Sequence, residues 1–459
     1  MTTLLAITAL LVVPPRTAAE HTSTPLSVDI RLRTGGALSG KLVDSTDHGL
    51  VIAVGDAPFV FSWRELEPRS AYQTRLQIID SQRGGRNHHH AEDAFALGML
   101  ALGLDRPDLA AGHFQTAVKL NPEDRVRVDR ALESFRKRRA HAKPPKDPFP
   151  AAPAEVAPTP SDVDAGLDVI VRRECSPDDR SAVGGDTPPE ITAKVMDVYR
   201  TFGDTVRRVI GKSMALVETE HFLIWTDWDR RHHHRLSAWC ESMYAAMAAQ
   251  FGVNPARPVF AAKCPMFCFR AKSRFHEFAR LFDGFDARNT LGYTRSIESA
   301  GHVHVVLLRP GDTEADFDQF AVTLVHEGTH AFVHRWYSTR LIPHWVNEGL
   351  ADMMAERVLG DACDTWENAQ LLARQVVRYE WPLSTLLSRD GPIEVHQYPL
   401  AHSIVAYLHE RNPRSFQEFI RALKSGRTIT DALSVSCDGL TLEGLESEWR
   451  DSVRKSSPP

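Results

Sequence analysis

Between residues 141 and 162 the chain carries Pro144, Pro145, Pro148, Pro150, Pro153, Pro158 and Pro160, with several alanines among them. Each proline fixes φ, lacks an N–H and pushes the preceding residue toward an extended backbone. No regular helix runs through such a stretch, so it reads as a stiff linker, continued by polar sequence over 141–190. The 459-residue chain is thereby divided. One part has to fold ahead of the linker, and the block 191–459 is long enough for a core of its own. The net charge of −5 carries no footprint of a nucleic-acid surface, so no nucleic-acid partner is expected.

Ahead of the linker three regions differ in pattern. Leu4 to Val13 is apolar but for one threonine, and Thr17-Ala18-Ala19 follows. That stretch is too short for a bilayer and suits a signal peptide over 1–20, although a basic start is missing. Export to the periplasm or beyond is the expectation, with a cytoplasmic protein as the alternative. Residues 24–75 alternate β-prone runs with turn signals, among them Val28–Leu32, Leu38–Val43, Leu50–Val54 and Phe59–Trp63. This spacing predicts a small β-barrel and resembles SH3-like or Sm-like modules. Over 88–140 the period becomes helical. Ala94, Leu97, Ala101 and Leu104 mark one helix, and Leu109, Phe114, Ala117 and Leu120 mark the next. The pair resembles a tetratricopeptide-like (TPR-like) unit, which cannot bury both faces alone and has to pack on a neighbour. The barrel and helical unit are candidate surfaces for a protein partner.

Two histidine runs, His88–His90 and His232–His234, lack a spaced carboxylate and read as surface residues. The six cysteines form no CxxC pair, so no zinc ribbon is expected. Cys264 and Cys268 sit in an apolar run expected to be a strand, and in an exported chain some cysteines could pair.

The chemistry concentrates in a helix expected over Phe317–Tyr337. His326, His330 and His334 share one face with Thr323, and Leu324, Gly328 and Ala331 lie on the other. Within it stands His326-Glu327-Gly328-Thr329-His330, an HExxH sequence. The i, i+4 spacing aims two imidazoles at one point, while Glu327 projects aside, toward a metal-bound water rather than the metal. Gly328 costs the helix about 1 kcal/mol against alanine, which a close approach by another helix would explain. After Pro343, suited to a helix start, comes Asn347-Glu348-Gly349-Leu350-Ala351-Asp352. Glu348 is the expected third ligand, leaving the fourth position open as catalytic zinc requires. Asp352, one turn on, could accept a hydrogen bond from a ligand imidazole. His334 reads as a supporting or structural residue and His344 as an exposed residue at the helix start.

HEGTH followed by NEGLAD resembles the gluzincin zinc metallopeptidases, and Pro-x-Trp-x-Asn-Glu-Gly-Leu-Ala is closest to aminopeptidase-N-like and bacterial peptidase MA-like domains. The looser likeness runs from about 214 to 410. It implies an α+β, thermolysin-like domain, a small mixed sheet plus a helical subdomain, binding one Zn2+. Residues 218–224 match the opening strand, 233–251 a helix, 259–269 a second strand and 302–308 the edge strand that pairs with extended substrate. The family's downstream oxyanion donor matches Tyr398, with His402 as the alternative. The implied activity is hydrolysis of a peptide or protein by zinc-bound water, with Glu327 as base. The free-amine anchor of an aminopeptidase has only loose candidates, Glu298 and Glu314, which favours an endopeptidase. A catalytically weak or inactive gluzincin-like adaptor protein remains open, as does a metallohydrolase acting on another substrate.

Overall fold

A computed structural model describes residues 26–141 and 187–456, apart from short stretches of which the longest are 33–36, 83–90, 255–258 and 298–301. The expected signal peptide, most of the linker, His88–His90 and Glu298 lie outside the described residues. The architecture is α+β, with two sheets among many helices.

Four antiparallel strands, β1 (Ser27–Arg31), β2 (Ala37–Ser45), β3 (Gly49–Val54) and β4 (Ala57–Ser62), form an N-terminal sheet in the order β1-β2-β3-β4. The strands fall where the alternation put them, but among the described residues the sheet does not close into a barrel. Helix α1 (Pro68–Gln82) follows at once and covers the β1 edge, where Ser70 Oγ accepts from Arg31 N at 2.8 Å. The seam is bridged at Leu32–Leu66. Helix α1 was not expected, although Ala71, Ile78 and Ile79 give it one buried face. Helices α2 (Ala91–Gly103) and α3 (Pro107–Leu120) form the expected hairpin, with Phe114 of α3 lying over α2. Helices α1 and α4 (Arg125–His141) flank the pair.

Past the linker, α5 (Pro189–Ile210) leads into β5 (Ala215–Glu218), β6 (Phe222–Thr226), α6 (His233–Phe251), β7 (Cys264–Phe269), α7 (Lys272–Phe278), β8 (Gly292–Ile297) and β9 (His302–Leu308). The sheet order is β5-β6-β7-β9-β8, parallel for β6-β7-β9 and antiparallel at both edges. The three inner strands are buried on both faces and so read as unbroken apolar runs. Ile224, Met266 and Val305 face one core, while Trp225, Phe267 and Val306 face a second core against α5 and α7. Strand β9, expected at the edge, is interior. The edge is β8, whose Gly-Tyr-Thr-Arg-Ser-Ile sequence alternates more weakly than the apolar run of β9.

Helix α8 (Glu314–Arg335) crosses the first face, fixed at its start by a reciprocal Thr313–Asp316 capping box. The remaining helices are α9 (His344–Leu359), α10 (Thr365–Arg378), α11 (Ser384–Leu387), α12 (Tyr398–Arg411), α13 (Pro413–Lys424), α14 (Ile429–Ser436) and α15 (Leu442–Ser456). The N-terminal sheet is not a separate body: Val51 and Val60 join the core that includes β7, α8 and α9, and β3 and β4 touch α10. Among the described residues, no helix is long and apolar enough to cross a membrane. The five described cysteines are buried and unpaired, so none of them forms the disulfides considered possible.

Two glycines mark close helix contacts. A Cβ on Gly328 would meet Met243 Cε of α6 at 2.4 Å, and one on Gly349 would meet the Ala401 carbonyl oxygen of α12 at 2.4 Å. The first neighbour is the tip of a flexible side chain and the second is backbone. Gly349→Ala is therefore expected to cost about 1–3 kcal/mol of overpacking. Gly328→Ala should cost less, because Met243 can move and the helix gains about 1 kcal/mol of propensity. Urea denaturation of the two variants checks the order; equal losses would contradict it.

Candidate metal centre

Helix α8 presents His326 and His330, and α9 meets it with Glu348. The Nε2 atoms of the two histidines lie 3.2 Å apart, and Glu348 Oε2 is 3.2 Å from His326 Nε2 and 3.4 Å from His330 Nε2. Tetrahedral zinc with bonds of about 2.1 Å sets its ligand atoms roughly 3.4 Å apart, so the donor set fits that ion. Among the described residues this is the one group of three or more histidine, cysteine or acidic side chains placed to hold a metal. His232–His234, at the start of α6, takes no part in such a group.

The hydrogen bonds around the triad select its protonation. Asp352 Oδ1 lies 2.8 Å from His326 Nδ1, and a carboxylate there fixes the proton on Nδ1 and frees the Nε2 lone pair. His344 departs from expectation. It is half-buried rather than exposed, and its Nε2 lies 3.4 Å from Glu348 Oε1, the oxygen turned away from His326. The backbone N–H of Ile393 donates to its Nδ1 at 3.4 Å, which leaves Nε2 as the donor to Glu348. The i, i+4 spacing of His344 and Glu348 carried that signal.

Burial pushes the imidazole of His326 down, but Asp352 and Glu348 outweigh it and hold its pKa well above the usual value. Burial likewise opposes protonation of His330, and Glu348 reverses the balance. Burial pushes the Glu348 carboxyl up, and His330 and His326 pull it far below the usual range.

Glu327 faces β8. Thr294 Oγ1 lies 2.7 Å from the Glu327 carbonyl oxygen and 2.9 Å from Glu327 Oε2, and its single proton is shared between these two acceptors, which holds the carboxylate on the sheet side of the helix. Thr294 escaped the sequence reading because β8 did. Tyr398, at the start of α12, lines the same cavity as the triad. Burial, then the charges of Glu348, Asp352 and Glu327, push its phenol pKa up, so it remains a proton donor at neutral pH. His402 is fully buried against Trp366, its Nε2 4.0 Å from Glu356 Oε2. Of the two expected oxyanion donors, Tyr398 therefore has the open position. Glu314 sits in the first turn of α8, ion-paired to Arg235 at 2.9 Å.

No protein-family model and no curated protein matches this chain.

Two outcomes follow from these contacts. Asp352→Asn should weaken zinc binding about ten- to a hundred-fold, measured by competition with a chromophoric chelator; unchanged affinity would separate Asp352 from the site. The second concerns acid. Burial holds His334 neutral, with its pKa lowered to about 3, and His402 with its pKa lowered to about 4. Unfolded, each titrates near 6.5. The unfolded state then binds more protons across that window, so their stabilising contribution is complete above about pH 6.5 and declines as pH falls. The slope approaches about 1.4 kcal/mol per pH unit for each group. His334→Asn should lose less stability than wild type between pH 6.5 and 5, by about 2 kcal/mol; parallel losses in urea titrations would refute the assignment.

Proposed function

We propose that the chain is a zinc-dependent peptidase of gluzincin type, built on a thermolysin-like pairing of a mixed sheet with a helical subdomain. The observation that carries the reading is the convergence of His326, His330 and Glu348 with Glu327 held beside them but outside the ligand set. Bound there, zinc would polarise a peptide carbonyl and lower the pKa of a water toward neutrality.

The chain's own groups supply the rest. Glu327 accepts a proton from the attacking water and passes it to the leaving amine. Thr294 keeps its carboxylate oriented between these transfers. Tyr398 donates to the carbonyl oxygen as negative charge builds, and its raised pKa keeps the proton in place. Strand β8 supplies the substrate edge. Its alternate pairs with β9 are the hydrogen-bonded ones, starting from Leu308 N to Leu291 O at 2.7 Å. The backbone groups of Thr294 and Ser296 therefore face away from β9, and both residues line the cavity, whereas the N–H and carbonyl of Gly292 are engaged by Thr290 Oγ1. An extended peptide satisfies such groups by adding a strand.

Glu327→Gln keeps the shape and removes the proton acceptor. Zinc content should stay near one per chain, and peptide turnover should fall by about 10²–10⁴. His330→Ala should lose metal and activity together. Elemental analysis and a peptide-library digest read both. A wild type that carries zinc and cleaves nothing would favour the adaptor reading.

A further inference from the structure

The cavity over the triad is not built by the C-terminal block alone. It measures about 930 Å³, and its lining includes Leu32, Leu38, Phe59 and Phe61 of the N-terminal sheet beside Thr294, His326, His330 and Tyr398. Leu32, Leu38 and Phe59 pack half-buried on the sheet's own core and also line the cavity. Phe59 and Phe61 stack in parallel, with ring centres 6.4 Å apart. Among the described residues, Glu65 is the ionisable one on this wall.

The wall is fixed in place. Alternation along β3 and β4 splits their side chains between two cores: Leu50, Ile52 and Phe61 face α1, and Val51 and Val60 enter the core of the metal-bearing block. Asp44 of β2 accepts a hydrogen bond from Gln375 of α10, and α10 also brings Thr365 and Asn368 to the cavity. The sheet thus lines the site while packed on the core of the metal-bearing block.

We infer that the N-terminal sheet is part of the substrate cleft, and that Leu32, Leu38 and Phe59 form a subsite for a large apolar side chain of the polypeptide lying along β8. This rests on the peptidase reading. The occupant follows from two chemistries in one cavity: outward backbone groups on β8 call for an extended main chain, and the apolar wall calls for an uncharged, bulky side chain on it. Side chains alternate about an extended backbone, so the preference falls on particular positions relative to the scissile bond rather than on the peptide as a whole.

The test uses the zinc-loaded full chain and decapeptides in which each position in turn carries Phe, Leu or Ser. Wild type should show a position where Phe or Leu raises kcat/KM about tenfold or more over Ser, the size expected of a hydrophobic pocket contact. Phe59→Ser and Leu38→Ser should erase the preference at that position and leave the others. Phe59→Leu should retain it. Leu38→Trp fills the space instead of emptying it, and should turn the preference toward small residues. Thermal melts and zinc content establish that each variant is folded and loaded, and the two Leu38 substitutions decide the matter if Phe59→Ser does not fold. Fluorescence anisotropy of labelled peptides on Glu327→Gln should show the same shift in binding without turnover. A wild type that cleaves the peptides with a selectivity unmoved by the substitutions overturns the subsite alone. A zinc-loaded wild type that cleaves none of them overturns the peptidase reading and the subsite with it.

Discussion

Three lone-pair donors packed within 3.4 Å of one another are the constraint around which this half of the molecule is arranged. Without a cation the cluster is held only if protons stand between the donors, and the raised histidines and the depressed Glu348 record that tension. Buried charge of this kind is costly unless paired, and one divalent ion pairs all three at once. The surrounding packing serves the convergence. Gly349 lets α9 approach α12, and Gly328 lets α8 approach α6, so the two helices that carry the triad are clamped from behind.

Much of this was legible because the spacing of ligands on a helix is a local property. His326 and His330 lie one turn apart, as do Glu348 and Asp352, and periodicity alone puts each pair on one face. The bringing together of α8 and α9 is not local, and only the resemblance to a known motif pair anticipated it. Inner strands β6, β7 and β9 announced themselves as apolar runs, since both their faces are buried. Edge strand β8 did not, because half of its side chains serve the cleft and are polar. The same cause hid Thr294.

The N-terminal sheet shows the opposite case. Its strands were readable from alternation, but its closure was not, because closure depends on what covers the free edges. Here α1 occupies β1 and helps bury Val28, Ile30, Leu50 and Ile52, while Leu32, Leu38 and Phe59 remain half-buried. The long proline-rich separation encouraged a picture of an independent adaptor. Val51 and Val60 argue against independence, since they complete a core belonging to the other side of that linker.

A division of labour across α8 follows from these placements. On the side facing α9, imidazoles and carboxylates are paired so that lone pairs converge on one point. On the side facing β8, the Glu327 carboxylate is restrained by a neutral hydroxyl instead of a cation. On the proposed peptidase reading, that hydroxyl sits on the strand that would offer its backbone to substrate, which would tie proton transfer to substrate register. Under the same proposal a displacement of β8 would move peptide and Glu327 contact together, so one element would set the spacing between the reacting bond and its base.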